Sequence, residues 1–245
     1  KSTSSSYMKN LGSNPPISSS SDLRSIMTHL KANSEPLIGQ ARDEPKAKKA
    51  AGRLAEDLQF LERMLRDMEA FSKPLAVKKQ PERVLDVAEA ALEMAKAGLA
   101  QEGVETGLVK VKVDIADHLT FDVARHLLML ALSNVIKNAF EAYSEPDGKL
   151  RAGSVHISAA LDGRLVRIAV QDKGKGFSKE ERAAYKVSLP GRMNKTKRHS
   201  TGYGLANAKR YVQAHEGRLE IATEEDKGTT VTIVLPVTGS SREAP

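Results

Sequence analysis

Along this chain the apolar residues recur first at helical spacing and only later in alternation. Residues 1–21, KSTSSSYMKNLGSNPPISSSS, show neither pattern; nine Ser and a Pro-Pro leave too little apolar surface for order, so the segment reads as a disordered linker. From Asp22 a helical period runs through Leu23, Ile26 and Leu30, resumes at Leu37 and Ile38, and is broken by Arg42-Asp43-Glu44-Pro45. Leu54, Leu58, Leu61, Leu65, Met68 and Phe71 follow at fours and threes, the seam of a second helix that ends at Ser72-Lys73-Pro74. Two helices joined by a short break predict an antiparallel hairpin over residues 22–74. Such a hairpin is too thin to bury a core alone, so dimerisation into a four-helix bundle is expected.

Past a boundary between Pro74 and Pro81 the pattern changes. Val84, Val87, Ala91 and Met94 place a helix over Glu82 to Ala100, stopped at Gly103. Val109, Val111, Val113 and Ile115 alternate with polar residues as a half-buried strand, and a long helix is predicted from about Asp122 to Tyr143. Val155 and Ile157 mark the next strand. Asp162-Gly163 turns it into another through Val166, Ile168 and Val170. After a long Gly- and Lys-rich loop come a helix from Gly204 to His215 and a last hairpin, Leu219–Ala222 with Thr230–Leu235, closed by Asp226-Lys227-Gly228. The fold class is α+β: a helical hairpin, then over residues 81–237 a sandwich of one mixed sheet covered by helices on one face. Residues 238–245 form a tail.

Within the long helix, LLMLALSNVIKNAFEAY (Leu127 to Tyr143) is apolar over most of its circumference, yet Asn134, Asn138 and Glu141 share one face. An unsatisfied buried amide costs on the order of 1–3 kcal/mol. Two assignments fit this stripe: a neighbouring strand satisfies the amides, or a ligand and its metal do.

Composition narrows the choice. The formal charge is +7, and between Lys173 and Arg198 nine Lys/Arg face only Glu180 and Glu181, so this one loop accounts for the whole excess. That concentration suits a small polyanion such as a triphosphate better than a duplex. Five Tyr, five Phe and no Trp give little for base stacking, so no nucleic-acid partner is expected. With no Cys there is neither a disulfide frame nor a thiolate metal site, and a cytoplasmic setting is expected. No apolar run reaches the roughly 18 residues of a membrane span. The chain opens on Lys1 rather than Met, in keeping with a piece of a longer protein whose missing part would carry a sensor or membrane segment.

Four motifs fall in order on the second domain: Asn134-x-x-x-Asn138-Ala139; Asp172-Lys173-Gly174-Lys175-Gly176 at a strand exit; Thr201-Gly202-Tyr203-Gly204-Leu205 opening a helix; and Gly228-Thr229-Thr230 entering the final strand. Each is weak alone, but the ordered set on matching elements is specific. If the ligand is ATP, each has a physical task. Asp172 accepts a hydrogen bond from the exocyclic adenine amine, with Thr229 or Thr230 adding a hydroxyl. Gly174 and Gly176 admit a close backbone approach. Gly202 and Gly204 bring backbone N–H groups and a helix dipole to the phosphates. Asn138 offers a neutral oxygen to Mg²⁺, a hard cation that shares phosphate oxygens.

These residues resemble the GHKL ATPase superfamily, and more closely the catalytic domain of bacterial sensor histidine kinases. LSNVIKNAFEAY is similar to their N box, DKGKGF to G1, STGYGLANAKRYVQAHEG to G2 and KGTTVTIVLP to G3, while Asn194-Lys195-Thr196-Lys197 resembles the lid of the nitrogen-regulation class. LERMLRDMEAFSKP is similar to the second helix of the dimerisation and phosphotransfer domain. The resemblance implies an ATP- and Mg²⁺-dependent homodimeric kinase that phosphorylates a histidine and passes the phosphoryl to a response regulator receiver domain. Asn134, Lys137 and Lys197 are then the catalytic candidates, with Mg²⁺ and the lid Lys residues neutralising phosphate charge. The hydrolases of the superfamily (gyrase, Hsp90 and MutL types) carry Glu four residues before the metal-binding Asn. Here Asn134 stands in that place and is a poor base, which favours transfer to a side chain over transfer to water; Glu141 is given a supporting role.

The resemblance strains at the acceptor. Family members begin the first helix with His, an acidic residue and Leu-Arg; this chain has Ser21-Asp22-Leu23-Arg24-Ser25, with Ser21 at the acceptor position and Asp22 in the place of the group that takes the acceptor's proton. His29 is the only His of the hairpin. A substituted acceptor at Ser21, use of His29, and phosphorylation of another chain all stay open. Two other function classes follow: a non-catalytic nucleotide-binding scaffold, and a protein Ser/Thr kinase of the mitochondrial dehydrogenase-kinase type. Of the remaining histidines, His199 and His215 invite a catalytic reading, with His215 read in preference as a helix-end residue meeting the last carbonyls, and His118, His126 and His156 lack ligand-like partners.

Overall fold

Alternation at Val155/Ile157, Val166/Ile168/Val170 and Val231/Ile233/Leu235 places these side chains on one face, and all of them are buried. The computed structural model describes residues 27–36, 45–72, 74–145, 148–179, 182 and 202–237. The chain divides into two units, Lys1–Glu69 and Ala70–Pro245.

The first unit holds the helical residues 27–36 (α1) and most of α2 (Pro45–Ser72). Met27 and Leu58 are buried, and Lys31 forms an ion pair with Glu62 at 3.1 Å that ties the two helices together. Leu30, Leu54 and Leu61 stay 48%, 41% and 41% exposed, an apolar surface that this chain alone does not cover.

The second unit runs β1 (Gln80–Arg83), α3 (Val84–Gln101), β2 (Val109–Asp114), β3 (Thr120–Val123), α4 (Arg125–Glu141), β4 (Gly153–Asp162), β5 (Leu165–Asp172), α5 (Gly204–Ala214), β6 (Arg218–Glu224) and β7 (Gly228–Pro236). The strands β2-β4-β5-β7-β6 make one mixed sheet, with β2 parallel to β4 and every other pair antiparallel. The α+β sandwich expected from the sequence is present. Helices α3, α4 and α5 pack on its apolar face around a core that includes Leu99, Leu128, Leu132, Ile136, Phe140 and Val212.

Two helix starts differ from the sequence expectation. Helix α3 begins at Val84 rather than Glu82, and α4 at Arg125 rather than Asp122, because Gln80–Arg83 and Thr120–Val123 pair as a second, two-stranded antiparallel sheet. Four residues are too few for alternation to show, and the pairing joins segments some forty residues apart. The pair is fastened by Arg125, whose guanidinium lies 2.8 Å from the Glu82 carboxylate.

Candidate functional site

Helix α4 buries its residues in doublets (Leu127/Leu128, Ala131/Leu132, Val135/Ile136, Ala139/Phe140), which leaves Asn134, Lys137, Asn138 and Glu141 half-buried on the remaining stripe. The two asparagines are in different states. Asn134 donates its amide N–H to the Leu130 carbonyl one turn back, at 3.0 Å. Asn138 Nδ2 is buried and has no hydrogen-bond partner. Opposite them α5 begins at Gly204: a Cβ on Gly204 would lie 3.5 Å from Asn138 Nδ2 and 3.6 Å from Asn134 Oδ1. The N-cap of α5, Tyr203, contributes no side-chain cap, so the first-turn N–H groups of this 11-residue helix meet the asparagine stripe without one. An uncapped helix start beside an orphaned amide is a place for an anion and its counter-ion.

A second cluster sits at the far end of β5. Asp172 is 6% exposed, and its Oδ1 accepts the N–H of Gly174 at 2.8 Å and of Thr229 at 3.3 Å. Thr229 is the β7 partner of Asp172 in the ladder, on the same face; its hydroxyl lies 3.0 Å from that of Thr223. Thr230, offered from the sequence as an equivalent, alternates to the opposite face beside Gln171, because side chains along a strand alternate. The turn after Asp172 is held from several sides. Lys173 N–H donates to the Tyr143 hydroxyl at 2.7 Å, Lys175 N–H to the Ala142 carbonyl at 3.3 Å and Phe177 N–H to the Thr223 hydroxyl at 2.9 Å, while Asp226 N–H donates to the Lys175 carbonyl at 2.8 Å. Gly174 is required here: a Cβ would stand 2.5 Å from that of Ala142.

Residues 122–239 match the model of the histidine kinase-, DNA gyrase B- and HSP90-like ATPases. Over these residues, just under half of the chain, it is similar to that ATPase family. Sporulation kinase E of Bacillus subtilis is 25% identical over 194 residues, covering 78% of this chain and 24% of that protein. Sensor histidine kinase ZraS of Escherichia coli is 34% identical over 110 residues, 45% of this chain and 22% of that protein. The chain thus spans about a quarter of the length of these relatives. Among solved structures, the Acinetobacter baumannii histidine kinase AdeS superposes with a TM-score of 0.58 at 20% identity, covering 89% of this chain and 98% of that one. The histidine kinase ThkA, solved in complex with response regulator protein TrrA, gives 0.60 at 17% identity over 91% of this chain and 60% of that one.

Seen as an ATPase domain, the structure brings Asn134, Asn138 and Gly204 together along the C-terminal half of α4, and Asp172, Gly174 and Thr229 together just past its C-terminus. Gly202 adopts φ +72, and Leu205 packs into the core beneath the helix start. Gly176 adopts φ +63, where a Cβ would meet the Glu224 carbonyl. Lys137, a catalytic candidate from the sequence, forms an ion pair with Glu102 at 2.6 Å. Ser21, Asp22, Lys197, Thr201 and the lid lie outside the described residues; His29 is exposed on α1. Among the described residues no three His, Asp or Glu side chains cluster to hold a metal, so a divalent cation would depend on amide and phosphate oxygens.

Buried His215 ties the two site helices together. Its Nε2 accepts the Ala124 N–H at the head of α4, at 3.1 Å, which leaves Nδ1 as the donor to the Tyr211 carbonyl in the last turn of α5, at 2.7 Å. Burial pushes this imidazole below its ordinary value, and the Lys79 charge adds to the shift. Sequence reasoning missed Tyr143 and Thr223. A phenol at the end of a buried apolar helix is a usable signal for Tyr143, whereas Thr223 is one more threonine in a strand.

Proposed function

We propose that the chain is the core of a sensor histidine kinase that binds ATP with Mg²⁺ and transfers the γ-phosphoryl to a protein side chain and on to a response regulator. The observation that carries this reading is the asparagine pair. A water-activating carboxylate on this stripe would stand at Asn134, whose amide is instead bonded to its own helix, so no base faces the γ-phosphate side of Gly204 from that position. Asn138, with a buried amide and no partner, fits the metal-holding role, since a half-turn of the amide presents its oxygen in the same place. When bound there, Mg²⁺ would supply charge neutralisation on the phosphate oxygens. The N–H groups at the head of α5 orient the phosphates, and Asp172, fixed by Gly174 and Thr229, accepts from the adenine amine. In the transfer, the bond from γ-phosphorus to the β–γ bridging oxygen breaks as the bond to the acceptor forms, and ADP leaves.

The exposed leucines of the hairpin support a homodimer closed as a four-helix bundle. Assignment to the nitrogen-regulation class rests on the lid sequence around Lys197. An ATP donor puts the reaction in the cytoplasm; among the described residues no helix is long and apolar enough to cross a membrane. The acceptor position at Ser21 supports a second reading, a nucleotide-binding scaffold without autophosphorylation, and the shared ATP fold a third, a protein Ser/Thr kinase. Incubation with γ-labelled ATP separates them. Acid-labile label on the hairpin, at His29 or on a partner chain's histidine, is the expected result. Acid-stable label would assign a Ser/Thr kinase, and ATP binding with no label would leave the scaffold.

A further inference from the structure

Helix α4 carries Asn138 at one end of the site, and its last residues reach the turn that carries Asp172 at the other. The connection is made by Tyr143, 2% exposed. Its hydroxyl accepts the Lys173 N–H at 2.7 Å and donates to the Ser154 carbonyl at 2.7 Å. An amide N–H can only donate and a carbonyl can only accept, so the phenol's single proton and one of its lone pairs are both committed. The ring is equally confined. A Cβ on Gly153 would overlap it, the Arg151 guanidinium lies 5.4 Å from its centroid, and the Tyr143 carbonyl accepts the Arg151 N–H at 3.0 Å. Lys173 is the peptide between Asp172 and Gly174, whose N–H holds the Asp172 carboxylate.

We propose that Tyr143 is a positioning residue: it fixes the Asp172–Gly174 turn, and with it the carboxylate that meets the adenine amine, at a set distance from Asn138 in the last turn of α4. This rests on the ATP reading above. Asn138 sits in the last turn of α4 and Tyr143 two residues past the end of that helix, so this helix end acts as the ruler between the base end and the phosphate end of one nucleotide. Ala142 strengthens the hold by accepting from Lys175, one residue beyond Gly174.

The test is Tyr143→Phe, which keeps the ring and removes only the hydroxyl, leaving the Lys173 N–H and the Ser154 carbonyl without this partner. Binding of ADP and of adenosine is titrated well below the melting temperature, and hydrogen exchange is followed at residues 173–175. We expect both ligands to weaken by about tenfold with their ratio unchanged, because adenosine reports the base end alone, and we expect exchange at Lys173 to quicken at least as much. A variant that only melts earlier, with wild-type affinities and wild-type exchange, overturns the proposal. So does a loss confined to ADP, which would place the effect at the phosphates. Gly153→Ala, which pushes on the ring from β4, should give the same signature if Tyr143→Phe folds poorly. Failure of the wild-type chain to bind either ligand would refute the ATP reading itself, and the exchange measurement would still decide whether Tyr143 holds the turn.

Discussion

Truncating Asn138 to Ala separates a ligand-binding amide from a structural one, because the two predict opposite balances of stability and affinity. Asn138 Nδ2 is buried with no hydrogen-bond partner among the described residues, which costs roughly 1–3 kcal/mol where nothing else satisfies it. Asn138→Ala removes that cost together with the packing of a half-buried carboxamide, worth a similar amount or less. The unfolding free energy of the free chain should therefore stay within about 1 kcal/mol of wild type. A satisfied core amide would behave differently, since its loss leaves partners orphaned and costs the full 1–3 kcal/mol.

Binding should move the other way. A contact to the charged metal–phosphate group is worth about 1.5–3 kcal/mol, or roughly tenfold to more than a hundredfold in ADP affinity with Mg²⁺ present. Removing Mg²⁺ with EDTA should weaken the wild type strongly and Asn138→Ala little. Urea melts of the free protein and calorimetric titration of ADP with and without Mg²⁺ read the two quantities separately. Asn138→Asp, which restores an oxygen, should recover Mg²⁺ dependence. A variant destabilised by more than about 2 kcal/mol that keeps Mg²⁺-dependent affinity would refute the reasoning and return Asn138 to the core.

Three further outcomes follow from the geometry. Gly204→Ala should leave the free protein at least as stable, since Ala is the better helix former, yet lose nucleotide affinity, because its Cβ lies between the two asparagines and the helix start; wild-type affinity would show that the phosphates lie elsewhere. Thr223→Val removes the acceptor of Phe177 N–H and the partner of the Thr229 hydroxyl and should cost about 1–3 kcal/mol in a urea melt, whereas a change under 0.5 kcal/mol would mean that the loop after Gly176 is not held there. For His215 the folded value is depressed below 6.5, so between that depressed value and 6.5 the unfolded chain binds more protons and stability rises with pH. Its contribution is complete above pH 6.5 and is lost as pH falls through the folded value. Urea melts from pH 8 to 5 should show this decline in wild type and a shallower one in His215→Gln; parallel curves would contradict it.

Long-period features were legible from the residues alone. The alternation of Val166, Ile168 and Val170 reported a strand with one buried face, and the doublets of α4 reported a core helix, because both patterns extend over many turns or pleats. The short β1–β3 pair was not, since Gln80-Pro81-Glu82-Arg83 carries no alternation and owes its conformation to Thr120–Val123 far along the chain. In the site, residue types with a local conformational demand gave themselves away: Gly174 at a crowded turn, Gly204 at a helix start, Asp172 at a strand exit. Tyr143 and Thr223 act through distant backbone N–H groups; a phenol ending a buried apolar helix hints at the first, and nothing in the neighbourhood of Thr223 announces the second. The sequence also left Thr229 and Thr230 as equals; strand parity alone separates them.

The two asparagines share a helix face, and the difference in what they bond is what gives the site its direction. Asn134 satisfies itself within α4, so a water molecule beside the helix start would find an amide oxygen, which has no useful basicity near neutral pH, where hydrolysis needs a proton acceptor. The Asn138 side-chain nitrogen has no hydrogen-bond partner among the described residues, and an orphaned amide persists in a folded protein only where another interaction offsets its cost. On the proposed reading, such a site would hold a phosphoryl donor without activating water against it, and transfer would wait for a nucleophile carried in on a protein side chain. The uncovered leucines of the α1–α2 hairpin bear on the same point. In the proposed homodimer a second copy packed on that surface would cover these leucines and carry a second His29.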